Sequence, residues 1–115
     1  MKEENVILEK SYAFALEIVR VAKLIREKRE FDLASQLWRA GTSIGANVEE
    51  AQAAQSRADF RSKMSIAAKE ARETHYGLRI TRDGSILPES EVTPPINDVE
   101  SIKRILTSIV KSSSD

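Results

Sequence analysis

Two glycines four residues apart, Gly41 and Gly45, sit inside an uninterrupted helical stripe. The stripe is Leu33, Leu37, Ala40, Ile44, Val48 and Ala51, stepping by four or three throughout, as the apolar face of one helix does. Glycine inside a helix costs up to ~1 kcal/mol against alanine. Close approach of another backbone is the simplest feature to offset that cost. Ala34, Gly41 and Gly45 form a small-residue edge beside the stripe. Arg39, Asn47, Glu49 and Glu50 rule out the membrane form of Gly-x-x-x-Gly, which needs an apolar 20-mer. The segment therefore specifies a tight helix–helix crossing in water.

The same periodicity defines three more helices. The spacing predicts helix 1 over about residues 5–28, with Ile7, Phe14, Ile18, Val21 and Ile25 on one face. Leu8, Tyr12, Ala15 and Val19 widen that face beyond the ~100° one packed side requires. Either the helix lies deep in its bundle, or Tyr12 and Val19 meet another subunit. Helix 2 covers about 32–53, with Asp32 as its N-cap type. Helix 3 covers about 56–83. It opens on the capping-box pattern Ser56-Arg57-Ala58-Asp59 and ends at Asp83-Gly84, with glycine as the stop. Its core stripe is Phe60, Met64, Ala67, Ala71, Thr74 or His75, and Leu78. Residues 84–93 read as a polar connection. Thr93-Pro94-Pro95 reads as a cap followed by first-turn proline, opening helix 4 over about 94–112. Val99, Ile102, Leu106, Ile109 and Val110 face inward, and Lys111 to Asp115 forms a frayed tail. Short links make the helices antiparallel neighbours. The expected fold is all-α, an up-down-up-down four-helix bundle, with residues 1–115 as one domain.

The absence of cysteine among 115 residues excludes disulfides and thiolate zinc sites and fits a reducing cytosol. The charged start Met1-Lys2-Glu3-Glu4-Asn5 is unlike a signal peptide, and no apolar run reaches a membrane span. A cytoplasmic protein is expected. The 18 basic and 18 acidic residues balance, but unevenly along the chain. Residues 56–82 hold seven basic and three acidic groups, whereas residues 83–100 hold five acidic and no basic groups.

Catalytic chemistry is scarce. A carboxylate-bridged di-iron bundle needs Glu-x-x-His pairs on two helices. This chain has one histidine, His75, preceded three residues earlier by Arg72. His75 reads as a packed or edge-of-core residue. No Ser-His arrangement can be read from spacing. Adjacent Glu49 and Glu50 point about 100° apart on a helix and cannot act as a facing pair. No catalytic residue, metal, cofactor or small-molecule substrate is expected. Ser43 and Asn47, four apart, could face Glu70 across the bundle as a buried polar network that sets register.

The best ligand signal is the row Arg61, Arg72 and Arg79, near whole helical turns apart along one flank of helix 3. Arg57, Lys69 and Arg82 lie around it. Such a row offers forked donors to nucleic-acid phosphates, or pairs with acidic groups of neighbouring helices or subunits. Ile66, Tyr76 and Ile80 project away from the core stripe of helix 3 and suggest a subunit contact.

At these residues a family resemblance enters. Ser11-Tyr12-Ala13-Phe14-Ala15, the run Leu37 to Gln52 containing Gly41-Thr42-Ser43-Ile44-Gly45-Ala46-Asn47, Ser56-Arg57-Ala58-Asp59-Phe60, and Lys63 to Thr74 resemble the bacterial four-helix-bundle family named after 23S rRNA intervening sequences. The accessory protein of diversity-generating retroelements belongs to the same family. The resemblance implies a four-helix protomer, a ring-like homopentamer and no known catalytic activity. For the retroelement relative it implies binding to nucleic acid and a reverse transcriptase through a basic surface. The expectation is a non-enzymatic homo-oligomeric binding or scaffold protein associated with RNA or an RNA-associated protein. The alternative is a structural or protein-interaction module without a nucleic-acid ligand.

Overall fold

The spacing of apolar side chains sets four long helices. The structure, a computed structural model, describes residues 2–113, with side chains from residue 5 onward. Ser114 and Asp115 of the expected tail lie outside the described residues. The helices are α1 (Lys2–Glu27), α2 (Phe31–Gln52), α3 (Arg57–Asp83) and α4 (Glu89–Ser112). Helix α1 packs on α2 and α4, and α3 packs on the same two, so the chain runs around a four-sided all-α bundle. Its extents are 45 × 20 × 19 Å.

The interior is built from the stripes. Ile7, Ile18, Val21 and Ile25 of α1, Leu37, Ile44 and Val48 of α2, Met64 and Leu78 of α3, and Val99, Ile102 and Leu106 of α4 are almost wholly buried. Thr74 and Thr81 join them, because each hydroxyl donates to its own helix, to the carbonyls of Glu70 and Gly77 at 2.8 Å. Buried hydroxyls so satisfied carry little penalty.

Helix ends differ from expectation in three places. First, Asp32 lies in the first turn of α2, where its charge suits the helix dipole, and Glu30 occupies the cap without a side-chain bond. The link is fixed instead by Arg29 in left-handed conformation (φ 66°), while the guanidinium groups of Arg26 and Arg29 stand 5.4 and 5.7 Å from the Phe31 ring. Second, Gly84 stops α3 at the expected place, as its C-cap, but does so without a positive φ. The left-handed residue ending α3 is Ser85 (φ 57°), and the Ile86 N–H closes the turn on the Thr81 carbonyl at 3.0 Å. The α3 start does carry its cap: the Ser56 hydroxyl accepts from the Asp59 N–H at 3.0 Å.

Third, α4 begins at Glu89, five residues before the expected start, with Pro88 as its cap in extended conformation. Pro94 and Pro95 therefore lie in the second turn. Proline leaves the carbonyl four residues earlier without its helical donor, here at Ser90 and Glu91. Burial of Val92, Pro95 and Ile96 holds this turn against the core. Leu87 is also buried, so the connection expected to be polar plugs one end of the bundle.

Candidate nucleic-acid interface

The tight α1–α2 crossing brings the glycines against two different kinds of neighbour. A methyl on Gly41 would meet the Ile18 side chain at 2.6 Å, and one on Gly45 would stand 3.3 Å from the Ser11 carbonyl oxygen. Ser11 is itself buried. Gly77 makes the equivalent space for Leu37 between α2 and α3, with 2.8 Å to a leucine methyl. Ala34 is buried at the α1–α2 seam, where it lines a groove of about 480 Å³ with Ala22, Lys23, Arg26, Ser35 and Trp38.

Ser43, Asn47 and Glu70 do not form the expected network. The Ser43 hydroxyl donates to the Arg39 carbonyl at 2.6 Å, and the Asn47 amide donates to the Ser43 carbonyl at 2.9 Å. Both are satisfied by the turn before them, as short polar side chains on helices often are. Glu70 is left with Oε1 buried and without a hydrogen-bond partner.

Helix α3 presents Arg61, Arg72 and Arg79 to solvent, with Arg57 and Lys69 also exposed. Among the described residues none of Arg61, Arg72 and Arg79 makes an ion pair. Arg79 instead lies 5.7 Å over the Tyr76 ring. Arg72 also borders a groove between α2 and α3 lined by Gln36, Leu37, Lys69, Glu73, Tyr76 and Gly77. Arg82 differs, since its guanidinium is bound to the Asp83 carboxylate at 2.8 Å.

His75 marks where this row meets α4. Lys103 Nζ lies 3.0 Å from His75 Nδ1. A lysine ammonium can only donate, so Nδ1 accepts and the ring proton sits on Nε2, 3.7 Å from a Glu100 oxygen. Burial first, then the charges of Lys103 and Arg79, hold His75 below its ordinary pKa of 6.5, against the opposing pull of Glu100. The imidazole is therefore neutral at pH 7, and its approach to Glu100 is no ion pair there. His75 packs at the edge of the core inside a cluster of cations.

The outer face of α4 continues that cluster. Two adjoining open grooves of about 380 and 630 Å³ follow it. The first is lined by Glu100, Lys103, Arg104 and Thr107, and the second by Arg104, Thr107, Ser108, Lys111 and Ser112. The sequence reading passed over Lys103, Arg104 and Lys111 because it followed only the apolar stripe of this helix. A signal was present: Lys103, Thr107, Lys111 and Arg104, Ser108, Ser112 are two interleaved rows with steps of four. Such rows share one helix face.

The residues expected to meet another subunit fall on two faces. Tyr12 is exposed on α1, where Val19 is half-buried, and Ile66, Tyr76 and Ile80 are exposed on α3. Helices α1 and α3 lie diagonally in the bundle. Leu16 on α1 and Phe31 and Trp38 on α2 are further exposed apolar groups, absent from the sequence reading.

Among the described residues no three His, Asp or Glu side chains converge as a metal site, and no helix is long and apolar enough to cross a membrane.

Comparison with known proteins places this geometry. No curated protein matches the chain. A crystal structure of a protein of unknown function from the S23 ribosomal protein family of Bacteroides thetaiotaomicron is similar, with 44% identity and a TM-score of 0.90. The match covers 95% of this chain and 98% of that one. The family model described as 23S rRNA-intervening sequence protein matches residues 3–108. The protein thus belongs to the 23S rRNA-intervening sequence protein family.

Proposed function

We propose that the protein is a non-enzymatic, cytoplasmic binding and scaffold protein that associates with RNA through the basic surface shared by α3 and α4. One observation carries this reading. Arg61, Arg72 and Arg79 stand exposed along α3 and form no ion pair among the described residues, and Arg79 and Lys103 converge beside His75, where the row meets α4. Unpaired arginines are poor contributors to fold stability and good donors to phosphate. Acidic groups, among them Glu89, Glu91, Asp98 and Glu100 in the first half of α4, bring the whole chain to neutrality, so the charge is local rather than general. Fluorescence anisotropy with a labelled RNA tests the reading. Binding at about 50 mM salt that weakens steeply by about 200 mM is the expected phosphate signature. Absence of binding at the lower salt sinks it and favours a purely structural or protein-interaction module.

The same reading includes self-assembly. Two unlike apolar faces, Tyr12, Leu16 and Trp38 on one side and Ile66, Tyr76 and Ile80 across the bundle, suit a head-to-tail contact. Contacts of that kind make a ring when the rotation between copies closes, and the family resemblance supports a homopentamer. Light scattering on the purified protein measures it directly.

A further inference from the structure

We infer that the α3–α4 surface takes the sugar-phosphate backbone of a base-paired RNA stem rather than single-stranded RNA; this rests on the RNA reading above. Three observations lead there. First, the cations form two rows on two packed helices. Arg61, Arg72 and Arg79 lie on α3, and Lys103, Arg104 and Lys111 lie along the outer grooves of α4. The α3 row spans about 27 Å at 1.5 Å per residue. The rows stand one helix apart, about 8–10 Å. A rigid duplex likewise offers two phosphate rows flanking a groove. Second, the surface carries a single exposed ring, Tyr76, on which unpaired bases could stack. Helix α4 contains no Phe, Trp or Tyr, and the Tyr76 ring is engaged by the Arg79 guanidinium at 5.7 Å. Single-strand binders depend on such stacking. Third, hydroxyl groups are interleaved with the α4 cations. Thr107, Ser108 and Ser112 line the same groove as Arg104 and Lys111. A hydroxyl can accept from a ribose 2′-OH, the group that A-form RNA displays in its wide, shallow groove and DNA lacks. Among the described residues Glu100 is the one carboxylate lining these two grooves.

The test compares three labelled probes of one sequence, each about 16 nucleotides or base pairs long, the span of a double-stranded-RNA module. They are an RNA duplex, a DNA duplex and single-stranded RNA, titrated against the full chain and against Arg104→Gln/Lys111→Gln. The RNA duplex is expected to bind at least about tenfold tighter than single-stranded RNA and tighter than the DNA duplex. The double variant is expected to lose about tenfold in affinity and to reduce the log–log salt slope by ~1.8, the share of two phosphate contacts. Because both residues are solvent-exposed, the charge-conserving Arg104→Lys/Lys111→Arg serves as the folded control and should retain binding. Single-stranded RNA bound as tightly as the duplex overturns this inference and leaves the RNA reading standing. Preference for the DNA duplex overturns the assignment to RNA. A double variant with unchanged affinity removes α4 from the interface. Binding of none of the three probes overturns both the inference and the reading beneath it.

Discussion

A methyl group on Gly45 would stand 3.3 Å from the Ser11 carbonyl oxygen, because the two helix backbones come together at that point. The neighbouring Gly41 is filled differently, by the Ile18 side chain at 2.6 Å. The two glycines should therefore respond differently to alanine. At Gly45 a shift of a few tenths of an ångström is offset by the ~1 kcal/mol helix gain, so Gly45→Ala should be near neutral. At Gly41 the fully buried, branched Ile18 must move, and Gly41→Ala should cost about 1–3 kcal/mol. Leucine at either position should be severe. Urea denaturation of the four variants checks this order. Equal, small effects throughout would contradict the close crossing.

His75 gives a pH dependence with a defined sign. Its pKa is lowered in the folded chain, chiefly by burial and then by Lys103. Well above 6.5 the ring is neutral in both states and contributes nothing. Below 6.5 the unfolded chain takes up the proton first, so stability falls until the folded-state pKa is reached. His75→Gln should flatten that part of the stability profile. As the sole histidine, His75 is easily followed by NMR. Its midpoint should lie below 6.5 and rise in Lys103→Gln. A midpoint at or above 6.5 in the parent would contradict the cationic cluster.

Pro94 is exposed in the second turn of α4 and leaves the Ser90 carbonyl without a helical donor. Pro94→Ala restores that donor. The gain, with helix-interior proline costing about 3 kcal/mol, should exceed the ~0.4–1 kcal/mol of added unfolded-state entropy. A higher melting temperature is expected. A fall would mean that proline geometry itself shapes the turn.

The apolar faces predict a separation of assembly from folding. Leu16→Glu and Ile80→Glu place a charge on opposite faces at positions that are 57% and 40% exposed. Each should lower the mass in solution while leaving the thermal unfolding of the protomer within about 0.5 kcal/mol, as surface substitutions usually do. Parent and variants of equal mass would contradict the contact.

How much of this was legible in the sequence follows from periodicity. Helices α1 to α3 declare themselves through unbroken steps of three and four, and the Ser56–Asp59 cap is visible at its characteristic spacing. The start of α4 is not. Pro94-Pro95 normally marks a first turn, and only the burial of Leu87, Val92 and Pro95 shows that the helix already runs before them. Gly84 does stop α3 as its spacing indicates, while the positive φ falls on Ser85. The Ser43–Asn47–Glu70 network failed because a one-helix projection cannot show that a side chain is satisfied by its own preceding turn. The arginine row on α3 was readable, but Lys103, Arg104 and Lys111 join it only when antiparallel packing sets α4 beside His75.

The central claim is that exposed arginines of α3 bind RNA phosphates. The most direct measurement is the salt dependence of RNA affinity for the parent and for Arg61→Gln/Arg72→Gln/Arg79→Gln. Loss of three contacts should weaken binding and flatten the log–log slope by about 2–2.7, with the helix content unchanged. Superimposable curves for parent and variant would contradict it.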